Sequence, residues 1–174
     1  MIDSSHNRRR PRVLMLAYAC SPVRASEPFV GWHRALECAK YCDTCVICEE
    51  REFASEIREW IQQNGDVPGL EFVFVRMNDA ERRLYKIPGL FWIAYNRWHR
   101  RAFEVAQQLH RERRFDLVHQ VNFCGYREPG YLWRLDAPFL WGPFGGTQNY
   151  PLRFLAQAGL RSALSETLRG LANS

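Results

Sequence analysis

R-V-L-M-L-A-Y, from Arg12 to Tyr18, is an unbroken apolar run with arginines before it and a proline-bearing loop after it. Apolar side chains without alternation suit a strand buried on both faces, the kind found in parallel sheets sandwiched by helices. Immediately beyond, Pro28 stands where a first helical turn tolerates proline. Trp32, Ala35, Leu36 and Ala39 recur at helical spacing, which predicts a helix from about Phe29 to Tyr41.

The same grammar repeats outward from this unit. Thr44 to Cys48 reads as a second strand, and Phe53, Ile57, Trp60 and Ile61 mark a helix that ends before Asn64-Gly65. Leu70 to Val75, L-E-F-V-F-V, is a third strand entered through Pro68-Gly69. Asn78 to Pro88 is charged and irregular. Ile93, Trp98, Ala102, Val105, Ala106 and Leu109 then trace the apolar face of a long helix reaching about Arg113, with Arg97, Arg100, Arg101 and Gln108 opposite. Phe115 to Val121 reads as a strand, Glu128 to Leu135 as a short helix opened by Pro129, and Ala137 to Trp141 as the last strand. A terminal helix follows Pro151. Strands alternating with helices imply a Rossmann-like three-layer α/β sandwich on a mainly parallel sheet, with right-handed crossovers.

Composition agrees with one domain. In 174 residues, 47% are hydrophobic and 14% aromatic, enough to bury a core without disulfides or metal. The net charge of +5 is uneven, because Arg82 to Arg114 holds nine Lys/Arg against Glu104 and Glu112. Such a segment is either a solvated helix face or a surface for anionic partners. No nucleic-acid module signature accompanies it, so a nucleic-acid partner is not expected. Residues 1–11 read as a disordered basic leader without signal-peptide character. The most apolar short segment, Pro88 to Tyr95, is far below the ~20 residues that span a bilayer. A cytoplasmic chain is expected, with membrane contact no more than peripheral at the inner face.

Two loops carry the candidate chemistry, since both leave strands at the edge where open α/β sheets take ligands. The first holds Ser26, Glu27 and Gly31; the second, W-G-P-F-G-G, ends in Gly145-Gly146. Glu27 is a carboxylate at a helix start, where it serves chemistry or simply complements the helix dipole. Glycines at 145 and 146 let backbone amides approach a phosphate or hydroxyl. His119 lies near the end of F-D-L-V-H-Q-V-N, which also carries Asn122. Its imidazole can donate to a sugar hydroxyl or phosphate near neutral pH, and a small register difference decides whether it enters the crevice or packs under a helix. As a cleft residue it would be replaceable without loss of stability. Neither G-x-G-x-x-G nor a Walker lysine is present, so nicotinamide and nucleoside triphosphate chemistry are unsupported. Cys38, Cys42 and Cys45 have the C-x-x-x-C-x-x-C spacing of radical S-adenosylmethionine enzymes, with Cys48 beyond. Because these cysteines fall on a helix and a strand and not on one loop, ordinary buried thiols explain them better, and no metal is expected.

With these residues in view, the chain resembles the amino-terminal half of a family-four retaining glycosyltransferase of GT-B architecture. The matching stretches are R-V-L-M-L-A-Y-A-C-S-P (Arg12 to Pro22), S-E-P-F-V-G-W (Ser26 to Trp32), F-D-L-V-H (Phe115 to His119) and A-P-F-L-W-G-P-F-G-G (Ala137 to Gly146), in the family's order. The resemblance implies an acceptor-side domain over 12–151, with 152–174 as a helix leading towards a donor-binding domain absent from this sequence. It implies a nucleotide sugar as co-substrate, no metal or other cofactor, a saccharide or lipid-linked acceptor, and a separate donor-binding domain or subunit as partner. His119 and Glu27 would be catalytic, and Ser26, Gly31, Asn122, Gly145 and Gly146 would bind substrate. Val121 stands two after His119, where many relatives have a second histidine. The chain alone is expected not to transfer sugar. Two other readings stay open: a non-catalytic binding or scaffolding module of the same fold, and an iron-sulfur radical enzyme.

Overall fold

The computed structural model describes residues 9–122, 125, 128–145, 148 and 150–173. Five parallel strands form one sheet in the order β3-β2-β1-β4-β5: β1 Arg12–Ala17, β2 Asp43–Glu49, β3 Leu70–Val75, β4 Leu117–Asn122 and β5 Phe139–Trp141. Five helices accompany them: α1 Glu27–Ala39, α2 Glu50–Asn64, α3 Asp79–Tyr85, α4 Phe91–Arg113 and α5 Gly159–Asn173. This is the Rossmann-like three-layer α/β arrangement that the alternating pattern predicts.

Burial follows position in the sheet. Val13 to Ala17 of central β1 are all buried, whereas β3 and the short β5, at the two edges, are mostly half-buried or exposed. The chain steps from β1 to β2 to β3 in one direction, so right-handed crossovers put α1 and α2 on one face. Trp32 of α1 packs edge-on to Trp60 of α2 at 4.9 Å and stacks over Phe72 of β3 at 5.8 Å. The return from β3 to β4 carries α3 and α4 across the other face. There Trp98 is fully buried, its indole donating to the Val75 carbonyl at 2.7 Å, and Ala94, Ala102 and Ala106 let α4 lie close to the strands.

The structure corrects several expectations about elements. Asn78 to Pro88 is not irregular throughout: α3 starts with a capping box in which Asn78 accepts from the Glu81 amide while the Glu81 carboxylate accepts from the Asn78 amide. Residues 128–135 form only a single 3-10 turn, Leu132–Arg134, because Gly130 at φ 65 breaks helical geometry before it can begin. The terminal helix is divided into a 3-10 segment, Leu152–Gln157, and α5, with Gly159 at φ 71 between them. Ile93 is 45% exposed, so the buried stripe of α4 begins at Ala94 and Tyr95. Arg9 and Arg10, placed by sequence in the basic leader, are tied down: Arg9 pairs with Asp116 at 2.8 Å, and Arg10 donates to Asp43 and to the Ala39 and Cys42 carbonyls.

Candidate functional site

The strand order reverses direction between β1 and β4, and in open parallel sheets that reversal leaves a crevice outside the carboxyl ends of the two strands. Both candidate loops open at this edge. The first, after β1, has its buried Ser21 amide donating to the Pro28 carbonyl of α1 at 3.0 Å. The Ser21 hydroxyl donates to Glu56 at 2.5 Å, and Arg24 pairs with the same carboxylate at 2.7 Å, fastening the loop to α2. Ser26, at the N-cap of α1, has φ 65 and ψ −137 with no side-chain capping bond. A non-glycine residue held there costs about 1–3 kcal/mol, which the surrounding contacts must offset.

Asn122 is the hinge pin of the crevice. β4 carries one extra residue relative to β1 at this point, so the pairing passes from Leu16 with Gln120 to Ala17 with Asn122. Such a bulge re-aims the side chain that follows it. The fully buried Asn122 amide then donates to the Ala19 carbonyl at 2.7 Å and the Glu27 carbonyl at 3.3 Å, while its oxygen accepts from the Ala19 amide. One side chain thus locks β4, the β1 loop and the start of α1 together. Gly31 completes the joint: a Cβ there would lie 2.3 Å from the Ala19 carbonyl oxygen. Asn122 and Gly31, expected to bind substrate, here make their close contacts with the backbone of the β1 loop and α1.

His119 is 7% exposed, and its Nε2 donates to the Gly142 carbonyl at 2.7 Å. Burial lowers its pKa below the ordinary histidine value; the Gly142 bond opposes this and the charge of Arg34 adds to it. The ring is therefore neutral at pH 7, with its proton on Nε2. Gly142, at φ 131 where a side chain would be strained, also donates its amide to the Gln120 carbonyl at 3.0 Å. Past the strands, Gly125 pairs with Gly145, so the loops after β4 and β5 run side by side. Nothing lies within 4 Å of the place a Gly145 Cβ would occupy, leaving open space beside its backbone. Gly146 lies outside the described residues. Glu27 is half-buried in the first turn of α1, close enough to Tyr85 that its charge contributes to raising that phenol's pKa, after burial as the main cause.

Sequence reasoning passed over two aromatics at this edge. Phe29 in the first turn of α1 is 47% exposed, and Phe144, stacked on Trp141 at 4.7 Å, is 46% exposed. Exposed phenyl rings can offer stacking surface to the apolar face of a ligand; their place just inside W-G-P-F-G-G and S-E-P-F was the available signal. A cavity of about 590 Å³ opens at the opposite, amino edge, lined by Arg12, Cys45, Gly69, Arg113 and Phe115 among others. Its arginines are engaged internally, Arg113 with Glu71 and Arg12 with the Arg113 carbonyl, so it offers no free cation to a ligand.

The described cysteines do not gather at one point: the Cys38 and Cys42 thiols are hydrogen-bonded to each other, while Cys20 lies near Cys48. Cys38 ends α1, Cys42 follows it half-buried, and Cys45 and Cys48 lie three apart in β2 and so point to opposite sheet faces. Among the described residues no group of three or more metal-ligating side chains comes together. Burial pushes the Cys45 thiol up to about 11 and also raises that of Cys48 well above the ordinary value, which keeps both protonated. Compared with protein-family models, with curated proteins and with solved structures, the chain finds no match in any of the three.

Proposed function

We propose that this chain is the acceptor-side domain of a nucleotide-sugar-dependent glycosyltransferase, forming one wall of a cleft whose donor-binding wall belongs to another domain or subunit. The observation that carries the reading is the approach of the S-E-P-F-V-G-W loop and of residues 141–145 to the crevice between β1 and β4, held there by Asn122, Gly31 and the His119 bond to Gly142. Exposed Phe29 and Phe144, with open backbone at Gly145, give such a wall stacking surfaces and hydrogen-bonding groups suited to a saccharide. Glu27 is the carboxylate best placed to meet an acceptor hydroxyl, and His119 acts by holding the Gly142 loop.

A second reading has its own support. Because the polar atoms of Asn122 and the Nε2 of His119 are satisfied by backbone, the same wall suits a module that binds a saccharide without chemistry.

Amide shifts in a labelled sample, titrated separately with neutral disaccharides and with uridine or guanosine diphosphate sugars, test both readings. Disaccharides are expected to move Phe29, Gly125, Gly142 and Gly145, and nucleotide sugars to leave the spectrum unchanged. Micromolar binding of a nucleotide sugar, or disaccharide shifts confined to Arg12, Cys45 and Gly69 at the opposite edge, overturns the assignment.

A further inference from the structure

From Arg82 to Phe103 the sequence contains six basic residues and no aspartate or glutamate. The structure divides these cations into two groups. Arg101 is drawn inward to the buried Glu81 carboxylate and the Arg76 carbonyl, and Arg100 lies 3.2 Å from the Tyr131 hydroxyl. Arg82, Arg83, Lys86 and Arg97 are exposed, with no salt bridge among the described residues. Asp79 beside them is already paired with Arg51 at 2.7 Å.

Among these four cations, of which Arg82 also lies near the Glu52 carboxylate, are three large apolar side chains in water: Ile87 at 46% exposure, Trp92 at 44% and Ile93 at 45%. The turn through Pro88 and Gly89 joins the end of α3 to the start of α4, placing them together at the tip of this helix pair. Ile93 and Arg97 are one helical turn apart in α4, so an apolar and a basic side chain share a face there, and Ile87 follows the basic end of α3 directly.

We propose that this tip, residues 82–97, docks the chain onto an anionic phospholipid surface. Ile87, Trp92 and Ile93 enter the boundary between headgroups and acyl chains, and the four cations meet lipid phosphates. A tryptophan is suited to that boundary because its ring is apolar while its N–H remains hydrated. Protein interfaces are depleted of lysine and of charge at their centres, and a purely electrostatic nucleic-acid surface has no use for exposed isoleucines. The docking also orients the crevice, since the Trp92 ring comes to 4.0 Å from the Cβ position of Gly125, which pairs with Gly145. A ligand carried in the headgroup layer would therefore lie beside the two glycine loops. This inference does not depend on the glycosyltransferase reading.

The test is cosedimentation of the whole chain with vesicles of phosphatidylglycerol and phosphatidylcholine, beside vesicles of phosphatidylcholine alone. Binding is expected only to the anionic vesicles and should weaken with salt. Arg82→Ser with Arg83→Ser should lower the partition coefficient roughly thirtyfold, and Trp92→Ser with Ile93→Ser should lower it at least tenfold. Circular dichroism of each variant should match the parent, because these side chains are exposed. Equal binding to neutral vesicles, no binding to anionic ones, or unchanged binding by either double variant overturns the proposal. So does binding to anionic vesicles that polyuridylate abolishes while the Trp92 and Ile93 substitutions leave it untouched, which would identify a nucleic-acid surface instead.

Discussion

The imidazole of His119 and the carbonyl of Gly142 meet at 2.7 Å, tying the end of β4 to the loop that leaves β5. A carbonyl only accepts, so the bond fixes the tautomer as well as the loop. The ring thus supports the glycine-bearing wall and is not a freely solvated acid or base.

His119→Ala is expected to cost about 2–3 kcal/mol, combining a lost buried hydrogen bond with a small cavity. Urea unfolding at pH 7 measures it. Unchanged stability would return the ring to the solvated role that the sequence had suggested.

Gly31→Ala is expected to destabilise by more than 2 kcal/mol, although alanine favours helices over glycine by about 1 kcal/mol. The new methyl would meet backbone, the Ala19 carbonyl, at 2.3 Å, and backbone cannot rotate away. A variant as stable as the parent would show that α1 is free to move off the β1 loop.

His99 sets a pH dependence. Its ring is buried against Tyr95 and Trp98, neither nitrogen has a partner among the described residues, and burial lowers its pKa to about 3. The unfolded chain then binds more protons than the folded one between roughly pH 6.5 and 3, so stability is full above that window and falls on acidification through it, by at most about 1.4 kcal/mol per pH unit. His119, also lowered, acts in the same direction, while Glu52 and Glu128, raised chiefly by burial, act in the opposite one. His99→Phe should therefore lose less stability than the parent between pH 7 and pH 5 in urea melts. Equal losses would mean that the ring is solvated or paired.

Residues whose role is set by periodicity were legible in the sequence. The sequence pattern predicts β3 with its observed boundaries, and α1 and β2 within two residues, because an apolar run between turn signals and a stripe on one helix face leave a regular imprint. α3 escaped notice although Asn78 and Glu81 stand at capping-box spacing, since its seven residues are too few to show an apolar period. The site was legible only as two loops. Whether His119 faces solvent and whether Asn122 meets ligand or backbone depend on one extra residue in β4, and a bulge of that kind has no compositional signature. Gly31 stands out in the sequence as a substrate-binding candidate, whereas its close approach to a carbonyl twelve positions earlier in the chain is something no local pattern encodes.

The central place of β1 has a consequence for how the polypeptide is made. Its partner on one side, β2, emerges from the ribosome soon after it, but on the other side Arg12 waits for Asp116, 104 positions later. Until β4 has been synthesised, the most buried strand therefore has a vacant hydrogen-bonding flank. The nascent chain is expected to need shelter from a chaperone until that late arrival closes the sheet.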